Sequence, residues 1–199
     1  MLTLEGSKTV QSLDMLTIND EPKNKEDLIE MIWKAFSYFP EGIWKTVNYI
    51  GNVKVKHDLK IKSKGRTCGA FVFSDLVSRI RGMKNTLRIE DLLFAVTYDP
   101  VIVSYHRFEL DRFKRIIEVV HDYVSDDVGI FSLFETEEEA RARIAAHGLG
   151  HNQGLGHHLE PLDLMYVRLL SGDRIRIDGF CLQCQRKLKN RSWKRKGGY

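Results

Sequence analysis

The stretch AAHGLGHNQGLGHH, residues 145–158, holds four of the chain's seven histidines. His147 and His151 are four apart, so on a helix they share one face, one turn apart. Two imidazoles so placed share a single cation at about 2.0–2.1 Å each. Gly154 lets the chain reverse after the helix, and His157 then returns as a third ligand. Three protein ligands leave one coordination position for water, the open geometry of a catalytic zinc site. A lone His-x-x-x-His is more often a pair of surface histidines; the third histidine behind a glycine turn shifts the balance toward a metal. Met165 follows eight residues on, then the pair Cys181-x-x-Cys184. That pair reads either as part of a second zinc site or as free thiols at a helix start. A thioredoxin-like redox pair fits less well, because no strand leads into it.

These side chains need a helix beneath them, and the chain carries a start signal in the right place. Thr136 and Glu139 are spaced as a capping box, and Glu137, Glu138 and Glu139 suit the positive end of the helix dipole. Ala140, Ile144, His147 and His151 follow at helical spacing, so a helix over about 137–153 is expected, ending at Gly154. Upstream, KEDLIEMIWKAFSYF places Leu28, Ile32 and Phe36 four apart with Met31 beside them, a helical face. SDLVSRIRGM reads as a helix capped by Ser74. ELDRFKRIIEVVHDYV reads as a helix with Phe113, Ile116, Ile117 and Val120 inward. VKVKHDLKIK alternates as one half-buried strand, and DLLFAVT, VIVSYH and VGIFSLF are short apolar strands. Strands mixed with helices without strict alternation predict an α+β (mixed α/β) domain with one sheet.

At this point the segment resembles the archaemetzincin family of zinc metallopeptidases. Their pattern runs H-E-x-x-H-x-x-G-x-x-H-C, then four residues, C-x-M and later C-x-x-C. Here the chain reads HGLGHNQGLGHHLEPLDLM and then CLQC, in the same spacing through Met165. The resemblance covers roughly residues 136–188 and implies a metzincin-like fold. It makes His147, His151 and His157 ligands of a catalytic zinc and Met165 the methionine of the turn below it. It makes Cys181 and Cys184 the last two of four ligands to a structural zinc. It also implies a substrate-aligning edge strand above the first zinc, for which VIVSYH is the candidate. Residues 1–24 then read as a lead-in, 25–188 as one metzincin-like zinc-binding domain, and 189–199 as a basic tail.

The sequence departs from that pattern in three places. Gly148 stands where the family has the glutamate that serves as general base. Losing a positioned base typically lowers the rate by about 10²–10⁴. A bound zinc still brings the pKa of water to about 7, so weak hydrolysis is allowed and efficient proteolysis is not expected. Gly148 is also poor in a helix interior, by roughly 1 kcal/mol relative to alanine. At the second site, His158 and Asp163 stand in place of two cysteines. Both are zinc ligand types, so His158, Asp163, Cys181 and Cys184 form a reasonable, harder site than four thiolates.

The composition sets the surroundings. The net charge of +4 conceals a basic end: the last fifteen residues carry seven Lys or Arg, leaving −3 for the rest. Such an end reads first as a solvated terminus and second as a contact for nucleic acid or an acidic partner. No apolar run of about 18 residues occurs, so no membrane helix is expected. Three cysteines, an odd number, and an N-terminus unlike a secretion signal favour a reducing, cytoplasmic location. Two functions compete. One is a zinc metallopeptidase homologue that binds zinc but has lost its base, with a peptide or protein ligand in its cleft. The other is a non-catalytic zinc-held scaffold that binds a protein or nucleic acid through the cleft or the basic tail.

Overall fold

Leu92–Thr97 is an unbroken run of buried residues, and a strand buried on both faces belongs inside a sheet covered on each side. The computed structural model, which describes residues 11–19, 25–109, 112–169 and 174–194, places it there. The elements in chain order are β1 (Gln11–Ile18), α1 (Lys25–Phe36), β2 (Trp44–Val53), β3 (Leu59–Ser63), β4 (Arg66–Val72) and α2 (Phe73–Leu87). There follow β5 (Leu92–Thr97), β6 (Val101–Glu109), β7 (Arg112–Val119), β8 (Asp122–Val124), β9 (Val128–Ser132), α3 (Glu138–Asn152) and α4 (Leu182–Lys194).

The main sheet has the order β2-β1-β5-β9-β8. Its pairings are parallel except the last, where the short edge strand β8 runs antiparallel to β9. Alternate residues of its strands feed two cores. Leu13, Met15, Phe94 and Phe131 pack with α1 and α3. Leu16, Ile18, Leu93, Ala95 and Ile130 pack with Leu76, Val77 and Ile80 of α2. The helix α1 buries Leu28, Met31, Ile32, Ala35 and Phe36, the face expected from its spacing, with Glu26 and Asp27 at its positive end. A smaller sheet, β3-β4-β6-β7, adjoins the α2 side. The mixed α/β class is as expected, but the strands form two sheets, not one.

Four further expectations are corrected. Residues 11–18, read as lead-in, are β1 in the middle of the main sheet. Asp14, bonded to Asn48, and Thr17, bonded to Tyr49 at 2.9 Å, interrupt the apolar run that would have marked it. Residues 112–119, read as helix, are β7, paired with β6 from Ile102↔Val119 to Glu109↔Arg112. Phe113, expected inward, is 76% exposed. Spacing of three and four arises by chance among β-branched residues, which favour strands. The single strand expected over 53–61 is two strands in different sheets, β2 and β3. The linker between them is tied by Val55 N–H to Asn19 Oδ1 (2.8 Å) and by His57 to Asp99 (2.8 Å). Finally, α2 starts after Val72 and α3 after Glu137, neither with a side-chain cap. Thr136 donates instead to the Leu133 carbonyl at 2.9 Å, so the capping box does not form.

The basic end is helical through Lys194. Leu188 of α4 is buried against the core while Arg186 and Lys187 face solvent. Residues 195–199 lie outside the described residues. Among the described residues, no helix is long and apolar enough to cross a membrane.

Candidate metal centre

Helix α3 packs its buried face, Ala142, Ala145, Ala146 and Leu149, on α1 and the sheet, and it presents His147 and His151 one turn apart. Gly154, at φ +76°, turns the chain after the helix as its type permits. Leu155 N–H closes that turn on the Gly150 carbonyl at 2.9 Å, and His157 comes back beside the other two.

The three imidazoles converge through one nitrogen each. Nε2 of His147 and His151 are 3.1 Å apart, His151 and His157 3.0 Å, and His147 and His157 3.2 Å. Three donors placed tetrahedrally at about 2.0–2.1 Å from one zinc ion are separated by only slightly more than this. The other ring nitrogens fix the orientation. His147 Nδ1–H donates to the Leu164 carbonyl at 2.6 Å, and His151 Nδ1–H to the Leu155 carbonyl at 3.0 Å. Such bonds hold the tautomer that leaves the Nε2 lone pair free for a metal. Burial lowers all three imidazole pKa values, and the neighbouring rings add to this at His151, which falls to about 4, and at His157, so the set is neutral, as a metal requires.

Met165 is fully buried beneath α3. A Cβ on Gly150 would lie 2.7 Å from its sulfur, so glycine is needed for this close approach. The backbone here links the two candidate centres: His158 N–H donates to the Met165 carbonyl at 2.7 Å, and Val167 N–H to the His158 carbonyl at 3.0 Å. His158 Nε2 then lies 3.2 Å from Cys184 Sγ, 3.6 Å from Cys181 Sγ and 3.4 Å from Asp163 Oδ2. Asp163 is fully buried. It accepts Met165 N–H on Oδ1 and Cys181 N–H on Oδ2, each at 2.8 Å, and so ties the loop to the start of α4. Burial and Asp163 push the Cys184 thiol well above its usual range, a state that a bound cation would reverse. All three cysteines are free. The four residues His158, Asp163, Cys181 and Cys184 offer ligand atoms within 4.8 Å of one another, as do His147, His151 and His157.

Two residues near the first cluster escaped the sequence reading. Asp122 and Val124 of β8 press against Gly148, and Asp122 Oδ2 is 4.0 Å from His147 Nε2. Burial raises the Asp122 carboxyl to about 7. The only sequence signal was a buried-type strand carrying an acid, masked by the helical reading of residues 109–124. The edge strand beside this cluster is also β8. VIVSYH, expected in that role, lies within β6 of the smaller sheet, paired with β7 from Ile102 onward and with β4 at Val101 and Ile102. Glu160 is exposed.

A mixed sheet over a helix bearing His-x-x-x-His, with a third histidine past a glycine turn and a methionine below, is a fold that frames a three-histidine metal site. Comparison with solved structures narrows it to the archaemetzincin-like fold. The archaemetzincin of Methanopyrus kandleri superposes with a TM-score of 0.63 at 20% identity, over 96% of this chain and 100% of that one. A zinc-dependent peptidase from Methanocorpusculum labreanum gives 0.52 at 15% identity, over 88% and 99%. The archaemetzincin of Archaeoglobus fulgidus, complexed with malonate, gives 0.50 at 16%, over 89% and 99%. No protein-family model and no curated protein matches the sequence.

Proposed function

We propose that this chain is an archaemetzincin-like zinc-binding protein whose hydrolysis of peptides is strongly impaired, because α3 carries glycine where the family has its general base. The observation that supports zinc most directly is the convergence of three Nε2 atoms with two Nδ1–H groups already bonded to carbonyls. His147, His151 and His157 would hold the catalytic-type zinc, and His158, Asp163, Cys181 and Cys184 a structural one. Bound at the three histidines, zinc supplies a Lewis acid that activates water and polarises a carbonyl. The protein's own part is to hold three neutral imidazoles in register and to align a peptide or protein ligand along the free edge of β8. Exposed Arg186 and Lys187 on α4 leave a second reading open: a non-catalytic, zinc-held protein that binds nucleic acid through its basic end. The protein is expected to act in the cytoplasm.

Elemental analysis of protein dialysed at neutral pH tests the reading. Two zinc ions per chain are expected, one lost in His147→Ala with His151→Ala and the other in Cys181→Ala with Cys184→Ala. Protein that takes up no zinc at micromolar concentration refutes it. Salt-sensitive nucleic-acid binding that disappears when residues 186–199 are deleted favours the second reading.

A further inference from the structure

We infer that Asp122, on the edge strand β8, is the proton acceptor of the three-histidine centre, in place of the acidic side chain that position 148 lacks. The inference rests on reading that centre as a zinc hydrolase site, and it assigns whatever hydrolysis survives there to one residue.

β8 pairs with β9 so that Asp122 faces Phe131 and Val124 faces Gly129. Side chains alternate along a strand, so Asp122 and Val124 share one face and Tyr123 takes the other. Tyr123 packs edge-on against Phe73 of α2, ring centroids 4.8 Å apart. Asp122 and Val124 face α3, and there they meet Gly148. A Cβ on Gly148 would lie 2.9 Å from Val124 Cγ2, 3.0 Å from Asp122 Oδ2 and 3.4 Å from Asp122 Cβ. The space that a side chain at 148 would enter thus holds a carboxylate, delivered from the strand and not from the helix. Glycine in mid-helix is what allows this approach.

The carboxylate stands beside the histidines without joining them. Oδ2 is 4.0 Å from His147 Nε2, too far for a hydrogen bond, and the two side chains are only 6% and 5% exposed. Asp122 falls outside the trio whose ligand atoms lie within 4.8 Å of one another. The titratable groups facing it are His121, His147 and His157. A peptide added as a strand to the free edge of β8 would run past this carboxylate. Oδ2 then accepts a proton from the attacking water as the water oxygen bonds to the carbonyl carbon. It returns that proton to the amide nitrogen as the C–N bond breaks, releasing a carboxylic acid and an amine.

The test uses full-length zinc-loaded protein, a quenched-fluorescent peptide mixture, and acetohydroxamate as a zinc-directed probe. Asp122→Asn keeps the shape and removes the proton-accepting charge. Chelator-sensitive hydrolysis is expected to fall about 10²–10⁴-fold in this variant. Acetohydroxamate binding is expected to weaken roughly tenfold through loss of a charge-assisted hydrogen bond, with zinc content unchanged. Returning the acid to the helix, by Asp122→Ala and Val124→Ala with Gly148→Glu, should restore hydrolysis that Asp122→Ala alone lacks. The inference is overturned if Asp122→Asn hydrolyses within a few-fold of the unmodified protein, or if the unmodified zinc-loaded protein hydrolyses nothing. It is also overturned if Asp122→Asn loses zinc, since Asp122 would then be a ligand. Failure of the unmodified protein to take up zinc would instead refute the metal centre itself, so the two failures are distinguishable.

Discussion

Gly148→Ala sets two opposed effects against each other, and the structure decides the sign. Helix propensity alone favours alanine by about 1 kcal/mol in a helix interior. Against this, the new methyl would sit 2.9 Å from Val124 Cγ2 and 3.0 Å from Asp122 Oδ2, both on a strand held by β9. Overpacking of this kind typically destabilises by about 1–3 kcal/mol. The expected net effect is a loss of about 1 kcal/mol, or roughly 2–4 °C in Tm for a chain of this size. Thermal and urea unfolding of metal-free protein would measure it without interference from zinc. Adding Val124→Ala removes one of the two collisions, so the double variant should lose less than the sum of its parts. Gly148→Glu should be worse than Gly148→Ala, because it adds a second carboxylate against Asp122 in a buried space. If Gly148→Ala raises Tm by what propensity alone predicts, position 148 is open, and the account of β8 filling the place of a missing side chain is wrong.

Other perturbations bear on separate parts of the molecule. Asp163→Ala leaves the buried Met165 and Cys181 N–H groups without their acceptor, so a loss of about 2–4 kcal/mol is expected even with chelator present; a loss confined to zinc-loaded protein would show that Asp163 acts through the metal alone. In metal-free protein, burial raises the folded Asp122 carboxyl to about 7, above the ordinary carboxylate range, so its contribution is full at low pH and is lost as pH rises toward 7. Asp122→Asn lacks that loss, so its stability relative to the unmodified protein should grow by a few kcal/mol from about pH 4 to about pH 7 and level off above; denaturant titrations showing the opposite slope would contradict the burial of this group. Phe113→Ser should change stability by no more than about 0.5 kcal/mol, because Phe113 is 76% exposed on β7. A loss of about 3–5 kcal/mol would restore the inward helical placement.

The histidine cluster was legible because its parts are local. Four residues along a helix, a glycine turn and a short return fix the relation of His147, His151 and His157 with little help from the rest of the chain. The second cluster was legible only as spacing. His158 and Asp163 lie far in sequence from Cys181 and Cys184, and they meet because backbone bonds around Met165 and the Asp163 carboxylate fold the loop onto α4.

What the residue pattern determined by itself was the helix that carries the ligands, the α1 face and the apolar strand β5, each set by the periodicity of its own side chains. It also determined that position 148 brings no carboxylate of its own. The tertiary structure alone decided that β1 lies mid-sheet, that residues 112–119 pair as a strand, and that β8 is the free edge beside the histidines. It alone placed Asp122 against Gly148. Strand pairing depends on partners distant in sequence, and a carboxylate brought in from a neighbouring strand leaves no mark in the spacing of the motif it completes.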